Sequence, residues 1–141
     1  MKLHQLSVFL ENRAGKLRMP CRILAEAGVD IKTLTLADTQ QFGILRLIVN
    51  DWQKAKGALE SGGFIVNDTE VVAIEVPDRP GGLDSILAVI EDAGTNVEYM
   101  YAFTFGRDGQ AVLIFRFEDT DVAVAALRAH GINIIDVFGD L

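Results

Sequence analysis

Cysteine is nearly absent from this sequence, since Cys21 is the single one among 141 residues. A lone thiol cannot close an internal disulfide, and no C-x-x-C pair indicates a thiol metal site. Histidine is also scarce, with His4 and His130 at opposite ends of the chain. No Cys/His nucleophile pair is therefore supported, and we expect no catalytic residue, no metal site and no cofactor.

Positive charge is also scarce. The sequence has 13 Lys and Arg and 20 Asp and Glu, which gives a formal net charge of −7. Nucleic-acid binding needs clustered basic residues, so no nucleic-acid partner is expected. No stretch approaches the roughly 18 continuous apolar residues of a membrane helix. The opening MKLHQLSVFLEN does not have the pattern of a signal peptide. These absences predict a cytoplasmic protein with no membrane partner.

The sequence does contain an internal repeat. Gly15 matches Gly81 at an offset of 66, and the same offset aligns LAEAGVDI with IEDAGTNV. A net insertion of two residues in AFTFGRDGQ changes the offset to 68, which aligns Asp51 with Asp119. We therefore predict two similar domains, at residues 1–69 and 70–141.

Each half has the same predicted order of strands and helices. An alternating apolar strand leads into a helix whose apolar face is Leu17, Cys21 and Leu24, or Leu83, Leu87 and Ile90 in the second half. Both helices are expected to end at a glycine. Further strands are predicted at 30–38, 43–49 and 63–67 in the first half, and at 96–105, 111–117 and 131–137 in the second. A second helix, capped by Asp51 or Asp119, precedes the last strand of each half.

This order predicts the fold class. It is βαββαβ twice, which indicates an α+β protein of two ferredoxin-like units with antiparallel sheets. A single unit of this size is marginally stable alone. VNDTEVV, at the junction, holds no flexible tether. We therefore expect the two units to pack together as a pair.

The turn before each first helix carries a family resemblance. PDRPGGL followed by AGTNV resembles the ligand-binding region of an ACT domain, and ENRAGKL followed by AGVDI is a looser match. The resemblance extends over nearly the whole chain, as tandem ACT domains without a catalytic domain. It implies a regulatory module that binds an amino acid or similar effector where two modules meet.

The resemblance also implies which residues form the sites. They are the loop before the first helix in each half and the residue after that helix: Asn12, Arg13, Ala14, Gly15, Lys16, Leu17 and Asp30 in the first half, and Asp78, Arg79, Pro80, Gly81, Gly82, Leu83 and Asn96 in the second. Asn12 would face Asn96, and Asp78 would face Asp30. Two facing carboxylates repel an α-carboxylate, so we expect the Asn12/Asn96 site to bind better.

The residues themselves leave several alternatives open. Glycine lets the backbone approach a ligand, and the following helix N-terminus favours an anion. Asn12 and Asp78 either contact a ligand or only cap the helix. The basic residues Arg13, Lys16, Arg18 and Arg22 either support the site or form a solvated face. Leu17 and Leu83 are expected in the core, with Pro20 making the first helix irregular or late.

Two further expectations concern side chains that the repeat does not share. Tyr99, Tyr101, Phe103 and Phe105 alternate along one strand, where they form core, interface or a pocket for a branched or aromatic group. Cys21 matches Leu87 and is expected to be a buried small apolar residue.

Two functions from different classes follow. One is a stand-alone regulator, expected as a homodimer, that binds an amino acid and modulates a separately encoded metabolic enzyme. The other is a structural or assembly subunit that keeps the fold without the ligand.

Overall fold

Eleven regular elements make up the part of the chain that the computed structural model describes, residues 2–139. Their order is β1 (Leu3–Glu11), α1 (Arg18–Glu26), β2 (Ile31–Asp38), β3 (Phe42–Val49), α2 (Trp52–Ser61), β4 (Val66–Pro77), α3 (Gly82–Asp92), β5 (Val97–Ala102), β6 (Gln110–Phe117), α4 (Thr120–Ala129) and β7 (Ile134–Ile135). The paired strands are antiparallel. The two ferredoxin-like units predicted from the sequence are confirmed.

The chain forms two compact units. The first consists of His4–Thr69, and the second begins at Glu70 and also includes Lys2 and Leu3. Lys2 joins the second unit through ion pairs with Asp121 (2.9 Å) and Glu70 (3.3 Å). Hydrogen bonds to these two carboxylates raise the pKa of Lys2 above its ordinary value. The domain limits 1–69 and 70–141 remain a prediction.

The first unit has the strand order β2-β3-β1-β4. Alternate residues of β1 point to one face, and Leu6 and Val8 lie opposite Leu47 and Leu45 of β3. These side chains form one buried cluster with Leu24 of α1 and with Ala55 and Leu59 of α2. The period-two pattern of the strands therefore supplies the surface on which both helices pack.

The second unit repeats this arrangement, with β4, β6 and β5 adjacent and β7 paired to β4. Val72, Ile74 and Val76 occupy the positions of Leu6, Val8 and Leu10. They share a buried cluster with Ile86 and Ile90 of α3 and with Ala123 and Leu127 of α4. The duplication in the sequence is thus a duplication of the core.

The helix caps predicted at Asp51 and Asp119 and the hairpin turn predicted at GRDG are also confirmed. The Asp51 carboxylate accepts a hydrogen bond from the Lys54 amide (3.1 Å), and Asp119 accepts one from Val122 (3.2 Å). The GRDG segment forms a two-residue hairpin turn in which Asp108 and Gly109 have φ values of 52° and 71°. Both central residues at positive φ are typical of a type I′ turn.

The limits of three predicted strands are wrong. β5 ends at Ala102 rather than at 105, so Phe103 and Phe105 lie beyond it. β7 spans Ile134–Ile135 only, because after Ile135 the chain enters a turn rather than continuing along β4. In the first unit the last strand starts at Val66 and continues as β4 into the second unit.

The helix faces also differ from the prediction. Leu17 and Leu83 are 40% and 37% exposed, so they are not core residues. α1 begins only at Arg18, which leaves Leu17 in the preceding turn, and Pro20 lies in the first helical turn as the late-start alternative requires. In α3 the buried residues are Gly82, Ile86 and Ile90, and Leu83 lies about 100° around the helix from Gly82, at the margin of the buried face. Cys21 is half-buried rather than fully buried.

Candidate functional site

The loop of the first unit is held by the hairpin that joins β2 to β3. The Asn12 amide donates to Gln41 O (2.8 Å), and its side-chain Nδ2 donates to Gln40 O (2.9 Å). α1 begins without any side-chain cap, so capping by Asn12 is wrong. The contacts of Asn12 leave Oδ1 as the side-chain atom that can accept a hydrogen bond from a ligand.

Gly15 and Gly81 occupy the same place in the two loops. Their φ values are 83° and 84°, in the left-handed region that favours glycine. A Cβ added at either position would have no atom within 4 Å. The glycines are therefore required by the backbone conformation, and the space above each is open to a ligand.

The second loop differs in the residue that follows the glycine. A Cβ at Gly82 would collide with Pro77 O, so only glycine allows α3 to start there. The first unit has Lys16 at this position, and its helix starts two positions later in the repeat. α3 also lacks a side-chain cap, since its N-cap is Gly81, and capping by Asp78 is wrong.

Asp30 and Asn96 follow the first helix of each unit, at the end away from the loop. α1 has nine residues and spans roughly 13 Å, which separates Asp30 from the Asn12 loop within one unit. Asp30 forms an ion pair with Lys32 (2.8 Å), while Asn96 O accepts from the Glu118 amide (2.9 Å). No single unit therefore brings its loop and its post-helix residue together.

The basic residues near the first loop are in part neutralised. Arg13 pairs with Glu11 (2.8 Å), and Arg22 pairs with Glu26 (3.0 Å) one helical turn away. All four of these side chains are more than half exposed. This arrangement favours a solvated face for Arg22, in the middle of α1, and leaves Lys16 and Arg18 near the loop.

Each unit has a cavity beside its loop, which we call the loop cavity. In the second unit it measures about 460 Å³ and is lined by Asp78, Phe103, Phe105 and residues of the GRDG turn. In the first unit it is about 40 Å³ and is lined by Asn12, Arg13, Leu17 and Leu36, among others. The larger one lies in the range of small-molecule sites.

The aromatic strand residues divide accordingly. Tyr99 and Tyr101 are half-buried within β5, whereas Phe103 and Phe105 follow the strand and line the loop cavity of the second unit. Of the three roles expected for these aromatic residues (core, interface or pocket), the lining of a pocket therefore applies to Phe103 and Phe105.

Sequence reasoning missed a second cavity in each unit, which we call the edge cavity. It lies between the first helix and the segment that enters the last strand. In the second unit it measures about 550 Å³ and includes Glu75, Ser85 and His130; in the first it is about 210 Å³ and includes Phe9 and Met19. The paired positions 9/75, 19/85 and 65/133, apolar in the first half and polar in the second, could have indicated it.

Two other features are absent from residues 2–139. No group of three or more His, Cys, Asp or Glu in this range could hold a metal ion. None of the helices in it is long and apolar enough to cross a membrane.

Comparison with known proteins bears on the family. Residues 1–136 match the family described as an ACT domain pair. Protein BT0572 from Bacteroides thetaiotaomicron is 36% identical, with a TM-score of 0.89 over 96% of this chain and 92% of that one. No curated protein matches the sequence.

More distant structures share the fold. The regulatory subunit of aspartate kinase from Thermus thermophilus is 18% identical, with a TM-score of 0.67 over 91% of this chain and 90% of that one. The corresponding subunit from Thermus flavus is 16% identical, with a TM-score of 0.62 over 89% and 90%. With a family match over residues 1–136 and the duplicated loops described above, this chain belongs to the ACT domain family, as an ACT domain pair.

Proposed function

We propose that this ACT domain pair is a stand-alone regulatory protein that binds a small effector, above all an amino acid, and modulates a separately encoded metabolic enzyme. The supporting observation is common to both units: an open left-handed glycine leads into a helix whose N-terminus has no side-chain cap. The amide groups and dipole of such a helix end favour an α-carboxylate.

The effector would lie where two ACT modules meet. The loop and the post-helix residue of one unit are at opposite ends of a helix, so a ligand that touches both kinds of residue needs two modules. We infer that Asn12 acts with Asn96 and Asp78 with Asp30, and that the two sites differ in affinity. Asn12 Oδ1 would accept from the ligand ammonium, while the backbone amides after Gly15 would hold its carboxylate.

The protein would work by binding rather than by catalysis. A ligand that contacts two modules stabilises one relative arrangement of them, and an enzyme that binds this arrangement would sense the ligand. The fold similarity to regulatory subunits of aspartate kinase is compatible with this role. We place the protein in the cytoplasm, where amino-acid pools are sensed.

A thermal-shift screen against the common amino acids tests the proposal. A ligand at about 100 times its Kd adds roughly 2.7 kcal/mol to the free energy of unfolding, which is a clear rise in Tm. Binding of the responding amino acid is then measured by calorimetry in Asn12→Ala and Asn96→Ala. Each variant is expected to weaken binding at least about tenfold, since each removes a hydrogen bond to a charged group.

Asn67→Ala is the matched control, because Asn67 is an exposed asparagine outside both loops. It should leave the affinity unchanged. Unchanged affinity in both Asn12→Ala and Asn96→Ala would contradict the proposed site. The absence of a thermal shift with every amino acid tested would contradict amino-acid sensing.

The assembly subunit remains a second candidate because of the first loop. Asn12 Nδ2 donates to Gln40 O, Arg13 is paired with Glu11, and Asp30, at the other end of α1, is paired with Lys32, so three expected ligand contacts have internal partners. A pull-down that recovers a partner independently of added amino acids would favour this candidate.

A further inference from the structure

The two edge cavities occupy equivalent positions in the duplicated units. In the first unit the Phe9 amide donates to Ile65 O (3.2 Å), and in the second the Glu75 amide donates to Asn133 O (3.0 Å). The first helix contributes Met19 to one cavity and Ser85 to the other. The repeat therefore provides an internal comparison of one site with two different linings.

The linings differ in chemistry at three matched positions. Phe9, Met19 and Ile65 in the first unit are replaced by Glu75, Ser85 and Asn133 in the second. The first cavity is about 210 Å³ and the second about 550 Å³. Larger side chains thus narrow the first cavity, whereas the second is open, polar and within the size range of small-molecule sites.

Three side chains of the second cavity, those of Glu75, His130 and Ser85, can accept a hydrogen bond from a ligand. The Glu75 side chain is 10% exposed, and its Oε1 accepts from the Arg107 guanidinium (3.0 Å), which leaves Oε2 for another donor. The carbonyl of Ala126 can only accept, so His130 donates to it through Nδ1 (2.9 Å) and offers Nε2 as an acceptor in the neutral ring. The Ser85 hydroxyl donates to Gly82 O (2.8 Å), so its oxygen can accept as well.

The charge of the lining, like its hydrogen-bond acceptors, favours a cationic ligand. Asp108 adds a second carboxylate to the lining, and because the Glu75 carboxylate is paired with Arg107, the remaining negative charge of the lining is that of Asp108. Ile86, Val89 and Ile132 provide an apolar wall on the other side. An ammonium group has three N–H donors and no acceptor, which suits this polar end, while the apolar wall suits a hydrocarbon body.

We propose that the edge cavity of the second unit binds a small primary amine with an apolar body, at a site separate from the ACT loops. The first-unit edge cavity does not bind it, because Phe9, Met19 and Ile65 replace the acceptors. The effector proposed above is a zwitterion held at the loops, so the two proposals can be tested independently.

The test is a titration of the full chain with 2-phenylethylamine, followed by amide proton–nitrogen correlation spectra. We expect saturable shift changes at Ser85, Val89 and Ile132, and none at Phe64 and Ile65 of the first unit. The matched probe is 3-phenylpropanoate, which has a similar body and a carboxylate in place of the ammonium. It should bind at least about tenfold more weakly, because the cavity carries carboxylates.

Two variants locate the site. Ser85→Met introduces the first-unit residue and should abolish the saturable shifts, whereas Met19→Ser, the reciprocal change, should leave the amine affinity unchanged. Asp108→Asn should weaken binding roughly two- to fivefold, as expected for an exposed charge. Asparagine tolerates the left-handed φ of 52° at this position, so the hairpin is kept.

Several outcomes would overturn the proposal. They are the absence of saturable shifts in the second unit, equal affinity for 3-phenylpropanoate, and unchanged affinity in Asp108→Asn. If Ser85→Met collapses the amide dispersion, Asp108→Asn is combined with the shifts of the unmodified protein, because Asp108 also lines the loop cavity: weaker binding together with shifts at Ser85, Val89 and Ile132 supports the edge cavity. Shift changes confined to the Asn12 and Asp78 loops would refute the amine site while leaving the proposed effector site standing.

Discussion

At the scale of single residues, the glycines of the two loops link backbone geometry to ligand access. Gly15 and Gly81 share nearly the same left-handed φ, and no atom lies close to where their Cβ would be. The cost of any other residue there is therefore conformational rather than steric. The same conformation exposes backbone amides at the start of the following helix.

Gly81→Ala is expected to destabilise the protein by about 1–2 kcal/mol, because an L side chain is unfavourable in the left-handed region. Chemical denaturation measures the change. Gly57→Ala is the control: Gly57 is an exposed residue within α2 that also has open space around it, but its φ is not positive. This substitution should stabilise the protein by about 0.5–1 kcal/mol. Equal effects at the two glycines would contradict the conformational explanation.

At the scale of helices and strands, the first helix of each unit shows how a small change in starting point alters its face. α3 starts at Gly82 because the absence of a Cβ allows close contact with Pro77 O, and it buries Gly82, Ile86 and Ile90. With Lys16 and Pro20, α1 starts later and buries Pro20 and Leu24. In both units the leucine that follows the loop glycine, Leu17 or Leu83, lies outside the core and beside the loop.

Leu83→Ala should therefore cost less than about 1 kcal/mol in the free energy of unfolding, as for other partly exposed positions. Leu127→Ala, at a fully buried leucine of α4, should cost about 2–5 kcal/mol because it leaves a cavity in the second core. Denaturant titration of both variants makes the comparison. A larger loss in Leu83→Ala than in Leu127→Ala would show that Leu83 is a core residue after all.

At the scale of the whole molecule, one sheet edge offers a surface for the expected homodimer. β2 is the outer strand of the first unit, and its Leu34 and Leu36 side chains are 44% and 49% exposed. An outer strand with exposed apolar side chains is a favourable surface for pairing with another chain. Self-association at β2 would cover both leucines.

The prediction is that light scattering gives twice the mass of one chain, and that Leu36→Lys shifts the protein to the single-chain mass while it stays folded. A charge in an apolar contact is unfavourable unless it is paired. Val122→Lys is the control, since Val122 is 40% exposed on α4, a helix of the second unit. A single-chain mass for the unmodified protein, or dissociation by Val122→Lys alone, would contradict this interface.

Much of the architecture could be predicted because it depends on local pattern. The repeat aligned Gly15 with Gly81 and Asp51 with Asp119, and these residues make the turns and caps expected of them. Glycine at positive φ and a carboxylate at a helix start are properties of a few adjacent residues, so the chain itself carries that information.

The remaining features depend on contacts between residues far apart in sequence. The bond from Asn12 to Gln40 O, which replaces a helix cap, joins residues on different elements. The exposure of Leu17 and Leu83 depends on where each helix starts relative to its sheet, and the edge cavities form only where a helix meets the last strand of its unit. The sequence by itself thus determined the two βαββαβ units and the place of their loops, because local propensity and periodicity encode them. Only the tertiary structure decided which side chains are buried, which carboxylates are paired and where there is room for a ligand, because these depend on packing in three dimensions.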